Sequence, residues 1–440
     1  MSTDSTQAHS GDAACAGLVD RPFWWDAAPP QTRDGELPAN VDVLIVGSGF
    51  TGLSAALTLA RAGRSVLVCE AREIGYGAST RNGGQISAKM RRGIASIAAE
   101  HGEARAIEVW GIARASRAYL EALIARESID CDFMPGVRFY GAYRAREYDS
   151  LARLTDTLRH KMQLDVEPVP KREQHRYVNS DLYHGGLVDR GTASFHPARY
   201  VAGLCERVES AGALLRSHTR VTGVTRQGDA FDVATSRGPV RARQVIVATN
   251  GYTGREFPAL ARRVIPIGSY LIATAPQPKA VIDALMPGCD MLIDTRRAAS
   301  YMRVSPDRQR ILYGGRVAAT DISAQTSAPR LKAVLESIFP SLRSTAVTHA
   351  WMGFTGFTFD ELPHLGRLDG LYFAMGYCGT GTAMGTYLGH GIAMEILGQP
   401  VAGVAALEQL TFGTHSLYRG NPWFLSTLIG AYRLLDRLHV

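Results

Sequence analysis

Hydrophobic positions follow two different periods along this chain, and their order predicts an α/β protein. Apolar runs at residues 41–46 and 65–69 flank a helical pattern at residues 53–62, which predicts a strand–helix–strand unit. Further helices are predicted at residues 98–127, 148–162, 198–209, 329–339, 382–398 and 423–438. Further strands are predicted at residues 220–225, 231–235, 243–248, 264–275, 291–294, 299–305, 310–315 and 371–375.

The turn after the first predicted strand has the spacing of a dinucleotide-binding motif. It reads Gly47-Ser48-Gly49-Phe50-Thr51-Gly52, and the second strand ends at Glu70 and Ala71. The first glycine permits a tight turn, the second lets backbone approach a pyrophosphate, and the third lets the helix pack on the strand. The helix N-terminus attracts phosphate, and Glu70 would accept hydrogen bonds from ribose hydroxyls. The competing interpretation is a glycine-rich turn in some other α/β fold.

Two later glycine-rich segments fit the same ligand. Residues 77–85 contain Ser79, Arg81, Asn82, Gly83, Gly84 and Gln85, and such a loop can press its backbone on a flat ring while Arg81 meets pyrophosphate. Gly376-Tyr377-Cys378-Gly379-Thr380-Gly381 leads into a helix near Thr382. The positive end of that helix would stabilise a reduced, anionic flavin. The alternatives are a surface loop for the first segment and a purely packing turn for the second.

The order of elements predicts one discontinuous nucleotide-binding domain interrupted by a second sheet. We assign residues 36–115, 186–260 and 346–400 to a doubly wound, Rossmann-like domain, and residues 116–185 and 261–345 to a substrate domain with a mixed or antiparallel β-sheet. Residues 1–35 are interpreted as a flexible leader in which the aromatic segment 22–25 packs on the folded body. Residues 401–440 are interpreted as a helical tail that docks on its own domain and does not contact a membrane.

Composition and charge limit the classes of function that we expect. The 440 residues are 46% hydrophobic and 20% charged, with a net charge of +7, which are ordinary values for a globular chain. The one dense basic patch, Lys89-Met90-Arg91-Arg92, is expected to be a solvated loop and not a nucleic-acid contact. None of the six cysteines forms a CxxC pair, so we expect neither a metal site nor a disulfide framework, and a reducing cytoplasm fits best. Residues 1–20 contain no basic segment typical of a secretory signal.

At this point the chain resembles the D-amino-acid oxidase superfamily of FAD enzymes, and within it the gamma-glutamylputrescine oxidase branch. The resemblance covers about residues 35–398 and is most specific at the GASxRNGGQ stretch. It is carried by residues 43–47, 70, 77–85, 196–197, 248–251, 312–315 and 376–379. It implies an FAD domain, with Val221 among the cofactor contacts, joined to a substrate domain whose sheet covers one face of the flavin.

Departures from the family pattern bear on the substrate. Relatives that oxidise amino acids carry an Arg-Pro pair before a D-x-x-P-x-x-G motif, which begins here at Asp360, and the matching positions are Thr355 and Gly356. The carboxylate clamp is therefore missing, and threonine does not replace bidentate arginine. Sarcosine oxidase relatives tether FAD through a cysteine that is absent here, so non-covalent FAD is expected. The lysine that assists oxygen in those relatives aligns with Leu312 or Tyr313, which leaves the electron acceptor open.

The candidate catalytic residues lie on the predicted second sheet. Tyr301 and Arg303 alternate with Met302, so either set could face the flavin. Tyr270 and Trp351 could line an amine pocket by cation–π contact, or they could be core aromatics. His196, Glu361 and His364 are interpreted as residues that shape a helix start and a turn.

Together these features predict an FAD-dependent oxidoreductase that oxidises a C–N bond of a primary or secondary amine. The imine product would hydrolyse to an aldehyde, and electrons would pass to O2. An alternative is a dehydrogenase for an amino acid, opine or proline-like substrate that uses a quinone or carrier protein. A further alternative, from another class, is a flavin-binding subunit or sensor without turnover.

Overall fold

A computed structural model describes residue 15 and residues 17–297, 300–318, 320–401 and 403–437. The expectations for residues 1–14 of the leader lie outside the described residues. The strands are β1 Asn40–Val46, β2 Val66–Cys69, β3 Gln85–Ile86, β4 Met134–Gly141, β5 Val166–Val169, β6 Gly186–Ser194, β7 Leu214–Arg216, β8 Val221–Gln227, β9 Ala230–Thr235, β10 Gly238–Val247, β11 Ile265–Thr274, β12 Met291–Asp294, β13 Ser300–Val304, β14 Ile311–Gly315, β15 Val347–Phe357, β16 His364–Leu368 and β17 Leu371–Met375. The α-helices are α1 Phe50–Arg61, α2 Ala78–Arg81, α3 Ile94–His101, α4 Glu103–Arg126, α5 Ala145–Met162, α6 Pro197–Ser210, α7 Pro258–Ala261, α8 Lys279–Leu285, α9 Ala324–Ile338, α10 Gly381–Ile396, α11 Ala405–Glu408 and α12 Leu425–Arg437.

The first sheet has the doubly wound topology that the sequence predicts. Its strands run in the order β16-β17-β10-β1-β2-β7, with the β8–β9 hairpin attached to β10. Strands β17, β10, β1, β2 and β7 pair in parallel. The chain moves from β1 to β2 and β7 on one side and then returns to β10 on the other. This reversal places a crevice at the carboxyl ends of β1 and β10, where open α/β sheets bind ligands.

The second sheet has nine strands and presents two different faces. Its main path is β15-β11-β14-β13-β12-β4-β6-β3, mostly antiparallel. One face carries Tyr270, Ile272 and Tyr313 and packs in a core with α8 and α9. The opposite face carries Leu271, Leu312 and Trp351, which belong to a separate buried cluster. Because strand residues alternate between faces, this second cluster identifies the face turned toward the first sheet.

Sheet membership differs from the predicted domain boundaries at three strands. Strands β3, β6 and β15 lie in ranges that we assigned to the nucleotide-binding domain, but they pair within the second sheet. The helix predicted at residues 98–127 is divided at Gly102, whose φ of +83° ends α3. The helix predicted from residue 329 begins earlier, because the Ser323 hydroxyl accepts a hydrogen bond from Thr326 N at 3.1 Å and caps it.

The described part of the N-terminal leader is docked on the body, in contrast to the flexible segment that we expected. Val19 forms a bridge to His349 of β15, and Gln31 pairs with Ile74. Trp24 is 0% exposed, and its Nε1 donates to the carbonyl oxygen of Asn82 at 2.8 Å. Trp25 donates through Nε1 to the Thr80 hydroxyl at 2.9 Å. The aromatic segment therefore packs as predicted, and it packs on the loop at residues 77–85.

Helices α1 and α10 pack against each other without large side chains between them. A Cβ at Gly389 of α10 would lie 2.2 Å from the carbonyl oxygen of Thr51 in α1. The Thr51 hydroxyl also hydrogen-bonds to the Tyr377 hydroxyl at 2.6 Å in a buried position. The N-terminal and C-terminal parts of the first domain are therefore joined at the start of α1.

We expect Trp24→Ala to lower the free energy of unfolding by about 3–5 kcal/mol, because it removes a fully buried ring. The matched control is Trp423→Ala, since Trp423 is 61% exposed. Denaturant unfolding followed by circular dichroism measures both. Equal destabilisation by the two variants would show that the N-terminal segment is not docked as described.

We expect Gly389→Ala to destabilise the protein by about 1–3 kcal/mol, because the added methyl meets backbone and not a movable side chain. Gly111, inside helix α4, is the matched control, because a Cβ added there would have no other atom within 4 Å. Gly111→Ala should therefore stabilise by up to about 1 kcal/mol through helix propensity. Thermal unfolding midpoints that shift in the same direction for both variants would contradict the close approach of α1 and α10.

Candidate cofactor and active site

The first glycine turn closes around the carboxyl end of β1. Gly47 has a φ of +103°, and a Cβ there would lie 3.1 Å from the carbonyl oxygen of Ala248, which follows β10. A Cβ at Gly52 would lie 2.0 Å from the carbonyl oxygen of Gly47, so the third glycine is required for helix and strand to meet. Gly49 is the N-cap of α1 and provides no side-chain cap. Backbone N–H groups at this helix end therefore face the crevice.

Glu70 lies at the end of β2 and is joined to the turn. Its Oε2 accepts hydrogen bonds from the backbone N and the hydroxyl of Ser48, at 3.1 and 2.7 Å. Its Oε1 accepts from the backbone N of Arg72 at 3.1 Å. A carboxylate has about four acceptor positions, so Glu70 keeps capacity for a ribose hydroxyl. Ala71 follows directly, half-buried, and the Val221 side chain is buried in the core on this side of the sheet.

The loop at residues 77–85 contacts the first glycine turn. Ser79 Oγ accepts a hydrogen bond from Phe50 N at 2.9 Å, and a Cβ at Gly49 would lie 2.8 Å from that oxygen. Asn82 closes the loop on itself, because its Oδ1 accepts from Gly84 N at 2.8 Å and its Nδ2 donates to the Ser79 carbonyl at 2.9 Å. Gln85 Nε2 donates to the Met302 carbonyl at 3.0 Å. The loop thus connects the first domain with the second sheet.

Arg81, which we expected to meet pyrophosphate, binds backbone carbonyls and aromatic rings of the protein. Its Nε donates to the Tyr76 carbonyl at 2.8 Å and its Nη1 to the Met352 carbonyl at 3.0 Å. The guanidinium also stacks on Trp25 and Tyr76, 4.6 and 4.4 Å from the ring centroids. Arg81 therefore fastens the loop to β15 and the N-terminal segment.

The late glycine turn reaches the same place from the other end of the chain. Cys378 N donates to the Gly356 carbonyl at the end of β15, at 3.0 Å, and Gly376 N donates to Asn250 Oδ1 at 2.9 Å. Gly379, Thr380, Gly381 and Thr382 are exposed or half-buried at the start of α10, which has no side-chain cap. The first glycine turn, the 77–85 loop and the late glycine turn therefore converge. Asn250 helps to hold the late turn in place, and the sequence analysis did not identify this role.

The Cys378 thiol is buried and hydrogen-bonded within the late glycine turn. Cys378 has a φ of +50°, and its Sγ donates to the Gly376 carbonyl at 3.1 Å. Burial raises the pKa of the Cys378 thiol to about 12. Because the thiolate is the nucleophile, this environment disfavours attachment of a flavin through Cys378.

Register places Tyr301 on the sheet face turned toward the glycine loop. Leu271 pairs with Gly314, Gly314 with Tyr301, and Tyr301 with Ile293, so their side chains share one face. A Cβ at Gly83 would lie 3.2 Å from the Tyr301 ring. The Tyr301 hydroxyl hydrogen-bonds to Ser269 Oγ at 2.9 Å. Tyr301 therefore stays a candidate active-site residue.

Arg303 and Tyr270 were our other catalytic candidates, but both side chains form hydrogen bonds with groups of the protein backbone. Arg303 is 2% exposed, and its Nη1 donates to the carbonyls of Gly84 and Phe195 at 3.0 and 2.8 Å beneath Trp24. Burial lowers the pKa of Arg303 to about 10. Tyr270 lies on the opposite face, where its hydroxyl accepts from Ile322 N at 2.9 Å. Neither side chain is directed at a ligand beside Tyr301.

The basic patch at residues 89–92 is solvated at Arg91, whose side chain is 52% exposed, but Lys89, Met90 and Arg92 are largely buried, in contrast to the solvated loop that we expected. Lys89 Nζ lies 3.0 Å from Asp189 Oδ2, and Arg138 Nη2 lies 3.2 Å from the same oxygen. Met90 is buried, and Arg92 pairs with Glu100. Arg138 and Asp189 form a cross-strand pair on the same sheet face as Tyr301. Sequence reasoning missed it because its members come from distant segments.

Among the remaining candidates, Trp351 is a fully buried core residue that donates to the Arg81 carbonyl at 2.8 Å. His196 caps α6 by accepting from Arg199 N at 3.2 Å. His364 Nε2 lies 2.9 Å from Asp360 Oδ2 within the turn. Both histidines therefore have the packing and turn roles that we assigned.

Within the described residues, no helix is long and apolar enough to cross a membrane, and no group of His, Cys, Asp and Glu has the arrangement of a metal site. The crevice fits FAD on its own geometry. The glycines at 47, 49 and 52 let the turn pack closely on its neighbours, because a Cβ at each would lie 2.0 to 3.1 Å from another protein atom. Two helix N-termini without side-chain caps converge at this turn. FAD would be held by the first turn, the 77–85 loop and the late turn.

Comparisons with known proteins agree with this geometry. The family described as "FAD dependent oxidoreductase" matches residues 42–394. The chain is 32% identical over 358 residues to the gamma-glutamylputrescine oxidoreductase of Escherichia coli, covering 81% of this chain and 83% of that protein. It is 30% identical over 424 residues to the probable oxidoreductase OrdL of Rhizobium meliloti, covering 94% and 97%.

The solved structures show the same fold. Glycine oxidase from Geobacillus kaustophilus superposes with a TM-score of 0.72 at 20% identity, covering 86% of this chain and 99% of that one. The glycine turns, the converging loops and the matched region point to one conclusion: this chain belongs to the DAO family of FAD-dependent oxidoreductases.

Proposed function

We propose that this protein oxidises the C–N bond of a primary or secondary amine of the gamma-glutamylputrescine type, with O2 as the electron acceptor. The observation that carries the proposal is the residue at the position where amino-acid-oxidising relatives place an arginine clamp. That residue is Thr355 of β15, which is half-buried and lies on the same sheet face as Leu271 and Tyr301. A threonine side chain is too short and has too few donors to bind a carboxylate as arginine does. A substrate whose carboxylate adjoins its amine would therefore lose its usual partner.

The wall around Tyr301 suits a neutral amine. Its neighbours on this face, Leu271, Gly314 and Ile293, are apolar, so an ammonium group that enters loses hydration and its pKa falls. The neutral amine has the nitrogen lone pair that C–H cleavage at the adjacent carbon requires. FAD supplies the acceptor for the hydride equivalent when it is bound. The imine then takes up water and releases an aldehyde.

Tyr301 orients the substrate and does not act as a base in this proposal. Burial raises the pKa of Tyr301 to about 12, although the hydrogen bond with Ser269 opposes the rise. The hydroxyl therefore stays protonated across the range in which enzymes work. It can donate to or accept from a substrate group while Ser269 holds it in place.

The proposal is tested by mixing the purified flavoprotein anaerobically with about twenty amines and following the flavin absorbance. We expect bleaching by N-acylated diamines such as gamma-glutamylputrescine, with little bleaching by α-amino acids, and H2O2 release in air. Bleaching without peroxide would favour a dehydrogenase. A flavin band that no amine bleaches would contradict the amine-oxidising function.

We expect Tyr301→Phe to lower kcat/KM for the best amine about fivefold, which corresponds to one hydrogen bond of about 1 kcal/mol. The pH profile should not move, because the Tyr301 hydroxyl does not titrate in this range. Tyr270→Phe is the matched control on the opposite face of the sheet and should keep kcat/KM near the wild-type value. A displaced alkaline limb in Tyr301→Phe would contradict the orienting role.

A further inference from the structure

The Lys89–Asp189–Arg138 cluster lies on the substrate side of the second sheet. Arg138 of β4 is in register with Met291 of β12, and Met291 with Arg303 of β13. Residues paired in this way point to one face, so Arg138 shares a face with Arg303 and Tyr301. Contacts agree with the register, because Arg138 Nη2 donates to the hydroxyl of Ser87, just after the 77–85 loop, at 3.0 Å.

The cluster has hydrogen-bond donors that Asp189 does not use. Asp189 Oδ2 is shared by Lys89 Nζ and Arg138 Nη2, and its Oδ1 accepts from Gly191 N at 3.0 Å. In the described part of the chain, Arg138 Nε and Nη1 have no hydrogen-bond partner, and Lys89 Nζ has no second carboxylate near it. The Lys89 side chain is 16% exposed. Donor capacity of both side chains is therefore unused within the described residues.

The charges of the cluster do not balance. Two cations face one carboxylate, which leaves a formal charge of +1 in a mostly buried place, and such an excess favours an anion. Burial lowers the pKa of Lys89, partly opposed by Asp189, and Arg138 adds to the lowering. Burial raises the pKa of the neighbouring Tyr140; the charges of Arg91 and Arg138 oppose that rise, and those of Asp294 and Glu147 add to it.

We propose that Lys89 and Arg138 form a subsite for a substrate carboxylate remote from the amine that is oxidised. This inference rests on the proposed function and adds the residues that would bind the distal acidic group of its substrate. Strand β4 lies two strand spacings from β13, roughly 10 Å from Tyr301, which is the length of about three extended residues. A carboxylate bound at this distance from the amine would not need the arginine that Thr355 replaces.

The test uses the FAD-loaded protein and two probes that carry no oxidisable amine. Glutaramate ends in a carboxylate, and glutaramide has the same shape without the charge. Isothermal titration calorimetry gives Kd for each, and a shift of the flavin absorbance band reports binding beside the flavin. Lys89→Met leaves Arg138 and Asp189 paired, so the fold keeps its balanced buried charges. Lys89→Arg restores the charge, and Lys161→Met is the control at an exposed lysine paired with Glu103.

We expect the wild-type protein to bind glutaramate at least about tenfold more tightly than glutaramide, as a charge-assisted contact would give. Lys89→Met should weaken glutaramate about tenfold and leave glutaramide unchanged, with recovery in Lys89→Arg and no effect of Lys161→Met. Equal binding of the two probes by the wild type would overturn the inference. A glutaramate Kd within twofold of wild type in Lys89→Met would also overturn it.

Failure of the proposed function gives a different result. N-glutarylputrescine carries both the amine and the distal carboxylate, so it should reduce the flavin. If glutaramate binding depends on Lys89 but N-glutarylputrescine does not bleach the flavin, the carboxylate subsite stands and amine oxidation is wrong. If N-glutarylputrescine and its neutral amide reduce the flavin with equal apparent affinity, amine oxidation stands and the subsite is wrong.

Discussion

The close approach of helices α1 and α10 is the constraint on which the cofactor site depends. The backbone of Thr51 lies so close to Gly389 that a methyl group there would fall 2.2 Å from a carbonyl oxygen. The same threonine binds the Tyr377 hydroxyl at 2.6 Å. Because these contacts involve backbone and short side chains, they tolerate little displacement. They fix the first glycine turn relative to the last, although the two are more than three hundred positions apart in the chain.

The other segments of the site are joined to helices α1 and α10 by hydrogen bonds to backbone groups. Ser79 holds the 77–85 loop to the start of α1, and Arg81 holds it to β15. Strand β15 in turn accepts the Cys378 N–H through Gly356. Trp24 covers the outer side of this loop from the N-terminal segment. The chemistry proposed at Tyr301 therefore relies on a scaffold whose members come from both domains.

Local patterns predicted the two strand–glycine turn–helix units, because a glycine turn between a strand and a helix has a recognisable sequence pattern. Gly47, Glu70 and the turn at Gly376 lie together as expected. The sequence did not predict which distant groups the long side chains contact. Alternation placed Tyr301 and Arg303 on one face, but only the fold shows that Arg303 binds carbonyls from residues 84 and 195. Lys89 and Asp189 are likewise distant in sequence, and no local period connects them. Residues 347–357 were assigned to the nucleotide-binding domain without a predicted strand, and they form β15 of the second sheet, since local patterns do not specify strand partners.

The central claim is that three distant segments hold one FAD molecule together. Hydrogen–deuterium exchange of the apoprotein and the FAD-loaded protein, followed by mass spectrometry, tests it directly, because bound cofactor suppresses local opening of the backbone that it contacts. The account predicts that FAD slows exchange in peptides covering residues 47–52, 77–85 and 376–382 at the same FAD concentration. Protection confined to residues 47–52, with the other two segments unchanged, would contradict it.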